Sequence, residues 1–207
     1  CCPAWSVMAK KDFPQFADYI SMALTPMVLT ARMVKKDNPN AKICFIGPCA
    51  AKKLEASRRS VRSDVDFVLT FEEVMGMFEA RAVDLEQIVA GEELIAGTND
   101  GRGFAVSGGV AKAVKDVIEK EHPDIQVKVQ AAEGLKNCRT MLMMAKAGRL
   151  NGYLLEGMAC PGGCVAGAGT LQPIPKSSAA VKRYATQNEK KTSDESSFAH
   201  RLHELVD

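Results

Sequence analysis

The chain has 207 residues, of which 46% are hydrophobic and 25% are charged, and its formal net charge is +2. This composition is typical of a globular protein, and it gives no electrostatic reason to expect nucleic acid or an anionic membrane as a partner. No apolar run approaches the roughly 18 residues of a membrane-spanning helix, and no secretory signal is visible.

The spacing of apolar residues predicts helices and strands that alternate along the chain. In the first half, the predicted elements are a helix at 13–36 with a break at Pro26, strands at 41–47 and 65–70, a helix at 71–83 with Thr70 as its N-cap, and a weakly patterned stretch at 84–103 that ends in a loop at 97–103. In the second half, they are helices at 108–122 and 134–149, strands at 126–132 and 151–157, and terminal helices at 177–191 and 194–207, the last with Asp194 as its cap. Strands separated by helices favour an α/β fold with mostly parallel sheets and flanking helices, in two layers or two partial lobes.

The seven cysteines suit metal binding or thiol chemistry better than disulfides. Their number is odd and their spacing is not that of a small secreted scaffold, so we expect a cytoplasmic protein. Three motifs carry five of them: Cys1 and Cys2 precede the first predicted helix, Cys49 follows one strand, and Cys160 and Cys164 follow another. Because open α/β sheets bind ligands beyond the carboxyl ends of their strands, these motifs are expected to meet at one crevice.

The stretch EGMACPGGCVAGAGT (156–170) is rich in glycine and almost uncharged. If Pro161 begins a helix, the thiols of Cys160 and Cys164 lie on one face, with Cβ atoms about 5–6 Å apart. That separation suits two corners of an iron–sulfur cube, and the two glycines after Pro161 would leave it room and offer it backbone N–H groups. Two alternatives stay open: apolar cysteines at a helix packing site, or zinc bound by four cysteines.

Three segments resemble the signature motifs of the iron-only, or [FeFe], hydrogenases. They are CCPAW (1–5), GPCAAKKLEA (47–56) and EGMACPGGCVAGAG (156–169), in that family's order and at comparable spacings. The resemblance covers about residues 1–170 and implies the family's two-lobed catalytic domain. Since the chain begins with Cys-Cys-Pro and not with Met, residues 1–207 are expected to be a C-terminal fragment of that domain, with terminal helices at 174–207.

The resemblance also implies a catalytic cluster, in which a [4Fe–4S] cube is joined through one cysteine to a di-iron unit carrying CO, cyanide and a bridging dithiolate. The ligands at the matching positions are Cys2, Cys49, Cys160 and Cys164, and Cys164 matches the bridging one. The implied partners are H₂ and protons, together with a ferredoxin-like electron carrier or N-terminal iron–sulfur domains.

Further positions match residues that surround the di-iron unit. Cys1 matches the thiol that passes protons to it, Lys52 matches a lysine that hydrogen-bonds a cyanide, and Ser21 matches a hydroxyl in the proton path. Met158, Phe104 and Pro26 match residues that pack nearby. The residues themselves also allow simpler interpretations. Lys53 is as well placed as Lys52 to be the cation, and Ser21 fits an ordinary helix serine. Phe104 and Met158 fit ordinary residues of the hydrophobic core.

Two departures from the family pattern bear on function. Position 47, usually Met, is Gly47, which would leave room over the di-iron unit, and after Cys164 the usual three glycines are interrupted by Ala168. Both changes predict a divergent subgroup. A hydrogen sensor and a hydrogenase-like iron–sulfur scaffold without turnover therefore remain as alternatives to a hydrogenase. Cys44 and Cys138 lie outside the motifs and are expected to be buried apolar residues.

Overall fold

The computed structural model describes residues 1–89, 91 and 97–205. The helices are α1 (Pro3–Asp12), α2 (Pro26–Asp37), α3 (Ala51–Ala56), α4 (Phe71–Ala80), α5 (Asn99–Gly103), α6 (Gly109–Glu121), α7 (Leu135–Lys146) and α8 (Ile174–Thr186). The strands are β1 (Cys44–Gly47), β2 (Phe67–Thr70), β3 (Lys128–Glu133) and β4 (Tyr153–Met158). Short 3₁₀ helices lie at Pro14–Tyr19, Leu85–Gln87, Cys164–Ala166, Ser193–Glu195 and Ala199–Leu205. Across these described parts, no helix has the length and apolar character to cross a membrane.

The four strands form two separate two-stranded sheets, and both sheets are parallel. In the first, residues 44–47 lie opposite 67–70, and in the second, residues 128–133 lie opposite 153–158. Each pair is joined by a crossover that contains a helix, α3 in the first sheet and α7 in the second, as parallel pairing requires. The predicted α/β fold with mostly parallel sheets is confirmed, and all four predicted strands are present with their starts moved by two or three residues.

The first sheet is covered on one face by α2 and by the turns that precede β2. Their buried core consists of Met27, Val28, Ala31, Val61 and Val65. Phe45 and Val68 pack against this core, whereas Ile46 and Phe67 are exposed, because successive strand residues point to opposite faces. Cys44 lies on the exposed face too, so the prediction that it is buried is wrong.

The second sheet packs against helices that carry the other core. Met8, Ala9, Phe13, Cys138 and Leu142 form this core, and Cys138 is fully buried, as predicted. Helix α1, which supplies the first two of these residues and leads directly into the third, packs against both α3 and α7. It therefore joins the two sheets and sets the chain's first residues between them.

The predicted helix at 13–36 is wrong in its first half. Residues 14–19 form a 3₁₀ helix, residues 20–25 are not helical, and Pro26 begins α2 where a break was expected. The reason is local: a proline at the first helical position needs no N–H partner, and Thr25 caps the helix by accepting a hydrogen bond from the Val28 N–H at 3.5 Å. A further helix, α1, lies upstream of the predicted one.

The terminal segment also differs from its prediction. The predicted helix at 177–191 is present as α8, which starts three residues earlier and ends five residues earlier, but the stretch at 194–205 holds only 3₁₀ turns. The Asp194 carboxylate pairs with Lys120 at 2.7 Å in place of a capping role. The predicted loop at 97–103 contains the short helix α5, which Thr98 caps. Within the weakly patterned stretch 84–103, positions 90 and 92–96 lie outside the described residues, as do 206–207 at the end.

Candidate metal centre

The carboxyl ends of β1 and β4 and the start of α1 face one cavity. The volume in which the centre of a water molecule fits is about 30 Å³. Its lining consists of Cys1, Cys2, Pro3, Cys49, Lys52, Met158, Ala159, Cys160, Gly163, Cys164 and Gly167. The structure thus brings together the four predicted metal ligands, the predicted proton-transfer thiol and the predicted lysine.

The first motif is fixed by the start of α1. Pro3 is the first residue of the helix and Cys2 its N-cap, whose carbonyl accepts the Ser6 N–H at 3.0 Å. The Cys2 thiol accepts a hydrogen bond from the Ala159 N–H at 3.5 Å, so the first motif contacts the third directly. Cys1, one residue outside the helix, is exposed. The two adjacent cysteines, equivalent in the sequence, therefore have different surroundings.

The second motif begins where β1 ends and continues into α3. Cys49 lies in the connection, and Lys52 is buried in the first turn of the helix. The Lys52 ammonium donates to a Glu55 carboxylate oxygen at 2.6 Å and to the Cys1 carbonyl at 3.2 Å. Lys53 instead points outward and pairs with Glu73 at 2.8 Å. Of the two neighbouring lysines, only Lys52 lines the cavity.

The third motif does not form the helix predicted after Pro161. Gly162 and Gly163 have φ values of 94° and 91°, which are incompatible with a right-handed helix. These two residues precede the 3₁₀ turn at Cys164–Ala166. Their N–H groups are also engaged within the protein, that of Gly162 with a Glu133 carboxylate oxygen at 3.0 Å and that of Gly163 with the Cys160 carbonyl at 3.1 Å. The expectation that both N–H groups serve a cluster is therefore wrong.

The glycines of this motif allow separate parts of the chain to approach closely. A β-carbon at Gly167 would stand 2.3 Å from the Pro48 carbonyl oxygen, and one at Gly163 would stand 2.6 Å from the Ser107 nitrogen. Both distances are far below van der Waals contact. The low side-chain volume of this stretch is thus required by backbone packing between the motifs, in addition to any space that a cluster needs.

Glu156 is a buried residue near the site that was not predicted from the sequence. It is buried near the end of β4, and its two carboxylate oxygens accept the N–H groups of Gly108 and Ala111, each at 2.6 Å. A carboxylate at the start of α6 is stabilised by the helix dipole as well as by these bonds. Glu156 therefore fixes the loop that contacts Gly163. A charged residue inside an otherwise apolar strand was the available signal.

The two half-buried cysteines of the third motif have raised pKa values. Burial, followed by the neighbouring Cys49 and Cys2, raises the pKa of the Cys164 thiol from 9.0 to about 11, although Lys52 opposes the shift. Burial also raises the pKa of Cys160. Both thiols are therefore protonated at neutral pH in the metal-free protein, and metal binding must release their protons.

The donor set matches an iron–sulfur cluster in its chemistry. Four thiols around one secluded cavity are the ligands that such clusters take. Among residues 1–89, 91 and 97–205, no three His, Cys, Asp or Glu side chains are grouped to hold one metal ion.

Four predicted site residues do not line the cavity. Ser21 is exposed, lies outside any helix, and accepts the Ala23 N–H at 3.3 Å. Pro26 is exposed at the start of α2, and Phe104 is half-buried after α5. A β-carbon at Gly47 would stand 2.8 Å from the Phe45 ring, so the room expected at this position is occupied.

Residues 1–168 match the protein family described as "Iron only hydrogenase large subunit, C-terminal domain". The chain belongs to this family. The resemblance inferred from the three cysteine motifs is thereby confirmed.

The similar proteins belong to two functional classes. The chain is 28% identical over 215 aligned positions to the periplasmic [Fe] hydrogenase large subunit of Nitratidesulfovibrio vulgaris. The alignment covers 84% of this chain and 51% of that protein. It is 26% identical over 219 positions to the cytosolic Fe-S cluster assembly factor narfl of Danio rerio, with coverages of 83% and 53%. The chain thus spans about half the length of these curated relatives. Since one is periplasmic and the other cytosolic, the cytoplasmic location stays a prediction.

Solved structures share the fold. A variant of the [FeFe]-hydrogenase HydA1 from Chlamydomonas reinhardtii superposes with a TM-score of 0.77 at 20% identity, covering 99% of this chain and 70% of that one. A structure of HydA(deltaEFG) that reveals stepwise H-cluster assembly superposes with a TM-score of 0.72, with the same coverage. At this level of identity, the likeness concerns the fold.

Proposed function

We propose that this chain is the C-terminal, cluster-binding part of a hydrogenase that interconverts H₂ with protons and electrons. One observation carries the proposal: three separate motifs meet at one cavity and supply four ligand thiols, a fifth thiol and a buried lysine. Four thiols are enough to hold a cube. The additional Cys1 and Lys52 are not needed to hold one, so their presence favours hydrogen turnover over an iron–sulfur scaffold without turnover.

In this proposal, Cys2, Cys49, Cys160 and Cys164 would hold a [4Fe–4S] cube, and Cys164 would be the ligand nearest to a di-iron unit carrying CO and cyanide. When bound, this group supplies the site of H₂ cleavage and the path for the electrons. The protein contributes position and dryness. Apolar Met158 and Pro3 line the cavity beside the thiols and reduce the access of water.

Cys1 and Lys52 have different tasks. The Cys1 thiol is exposed at the cavity rim, and in this proposal it is the group that takes up and releases protons. The Lys52 ammonium, a compact cation with three N–H donors, binds an anionic ligand of the cluster. Protons continue past Ser21, and electrons pass to a ferredoxin-like carrier or to N-terminal iron–sulfur domains.

A second candidate is an iron–sulfur assembly factor without hydrogen turnover. The observation in its favour is the relative from Danio rerio, which is named as such a factor and is nearly as similar as the bacterial hydrogenase subunit. Identity alone does not separate these classes. A hydrogen sensor would retain the same site but couple it to a signalling domain.

An infrared spectrum of the full-length protein, produced in cells that can build the di-iron unit, tests the proposal. We expect bands of iron-bound CO and cyanide, together with H₂ evolution from a chemical reductant. A protein with iron and labile sulfide but without these bands would contradict the proposal and favour the assembly factor. Bands without turnover would contradict it too, in favour of the sensor.

A further inference from the structure

We propose that Glu55, oriented by Thr25, is the positioning residue that fixes the Lys52 ammonium at the cavity. The inference rests on the proposed function, because it assigns Lys52 an anionic ligand to face. The contacts that support this inference all join residues that the structure describes, and they do not depend on a bound cluster.

Lys52 and Glu55 form a buried ion pair. Their side chains are only 10% and 7% exposed, and the ammonium nitrogen lies 2.6 Å from the carboxylate oxygen. A buried ammonium without a counter-charge would lose its proton or withdraw to solvent, because burial disfavours the charged form. Glu55 therefore supplies the counter-charge that holds the Lys52 ammonium in place.

The ammonium has three N–H donors, and two of them are accounted for. One is donated to Glu55 and one to the Cys1 carbonyl at 3.2 Å. Among the residues that the structure describes, Lys52 contacts these two acceptors, and since it also lines the cavity its third donor can serve an anion there. The hydrogen bond to the Cys1 carbonyl also anchors the backbone of the proposed proton-transfer residue. The Lys52 ammonium therefore supports both the anion site and Cys1.

Thr25 fixes the carboxylate in turn. Its hydroxyl donates to the second Glu55 oxygen at 3.0 Å, while it accepts the Val28 N–H at 3.5 Å as the cap of α2. Each carboxylate oxygen thus has its own donor, and the pair is tied to the start of a helix. Lysine has a flexible four-carbon stem, so this support is what gives its ammonium a defined position.

The chain offers a matched control in the adjacent residue. Lys53 pairs with Glu73 at 2.8 Å, but their side chains are 43% and 44% exposed. Exposed pairs contribute little, because water screens the charges. Removing the Glu73 charge should therefore change Lys53 far less than removing the Glu55 charge changes Lys52.

The test measures the acetylation rate of each lysine in the cofactor-free, full-length protein. Acetic anhydride reacts with the neutral amine, and peptide mass spectrometry reports Lys52 and Lys53 separately. Glu55→Gln should raise the Lys52 rate about tenfold, because the buried amine loses its counter-charge and its fixed position. Thr25→Val should raise it by about two- to threefold. Glu73→Gln should change the Lys53 rate by less than about twofold.

An unchanged Lys52 rate in Glu55→Gln would overturn the proposal. Should that variant fail to fold, Thr25→Val decides, and an unchanged Lys52 rate there has the same meaning. An equal response of Lys53 to Glu73→Gln would also overturn it, because the effect would then belong to any ion pair.

A second readout uses the matured protein. Glu55→Gln should shift the cyanide bands in the infrared while the iron content stays at the wild-type level, and unshifted bands would contradict the positioning role. If the wild-type protein shows no cyanide bands, the proposed function fails. The acetylation rates still test the positioning role in that case.

Discussion

Trp5 and Gly157 lie in direct contact, so close that a β-carbon on residue 157 would stand 2.0 Å from the indole Nε1. Trp5 belongs to α1, three residues after Cys2, and Gly157 belongs to β4, three residues before Cys160. The contact therefore sets the distance between the two motifs that supply three of the four proposed ligands.

Gly157→Ala should destabilise the protein, since the added methyl group meets an aromatic ring that has little space to withdraw. Overpacking of this kind typically costs about 1–3 kcal/mol, and occasionally more. Gly76→Ala is the matched control, because a β-carbon at Gly76, within α4, would meet no neighbouring atom within 4 Å. It should stabilise the helix by about 0.5–1 kcal/mol. Denaturant unfolding measures both, and equal effects of the two substitutions would contradict the contact.

Glu156→Ala should lower the free energy of unfolding by more than the removal of an exposed carboxylate does. It leaves the N–H groups of Gly108 and Ala111 without their acceptor, at about 1–3 kcal/mol each. Glu156→Gln should cause only part of this destabilisation, because the amide oxygen can still accept one of the two N–H groups. Glu133→Ala is the control, since that exposed carboxylate also accepts a backbone N–H, from Gly162. If denaturant unfolding showed Glu133→Ala to be as destabilising, the burial of Glu156 would not be the cause.

Asp66 should make stability depend on pH in acid. The Ile43 N–H, with Lys35 and Lys42, lowers the pKa of this carboxylate from 3.8 to about 2. Because the pKa is lower in the folded state, the stabilisation is full above about pH 4 and is lost as the pH falls towards 2. Asp66→Asn should therefore be less stable at pH 7 and show a shallower loss between pH 4 and 2. Parallel curves of unfolding free energy against pH for the two proteins would disprove the assignment.

Cys1 should be needed for turnover and not for assembly. In the matured full-length protein, Cys1→Ala should keep the iron content and the CO and cyanide bands but reduce hydrogen evolution by about 10²–10⁴-fold, the usual contribution of a proton-transfer group. Cys1→Asp should restore part of the activity, since a carboxyl group can also carry protons. Loss of iron in Cys1→Ala would make Cys1 a ligand, and full activity would mean that protons leave by another route.

The features that were predictable from the sequence depend on short-range patterns. Alternating helices and strands implied parallel sheets, and the carboxyl ends of parallel strands placed Cys49 and Cys160 at one cavity. The N-cap at Thr70 was also predictable, and the structure adds its capping box with Glu73. The start of α2 differs from its prediction, because an apolar pattern of helical period continues upstream of Thr25 and Pro26, although a threonine followed by a proline is itself a helix-start signal.

The features that were missed depend on contacts between distant parts of the chain. Glu156 accepts N–H groups 45 and 48 residues away, and Thr25 donates to Glu55 from 30 residues away. No local pattern encodes such partners. Cys44 was misjudged for a related reason, since its strand alone does not tell which face of the first sheet receives a helix.

The measurement that tests the account most directly is the iron content of single cysteine variants of the full-length protein. Cys2→Ser, Cys49→Ser, Cys160→Ser and Cys164→Ser should each lose most of the bound iron, because each removes a proposed ligand from the shared cavity. Cys44→Ser should retain it, since Cys44 is exposed on the face of the first sheet away from the packed core. Wild-type iron in any of the four variants, or loss of iron in Cys44→Ser, would contradict the four-cysteine centre.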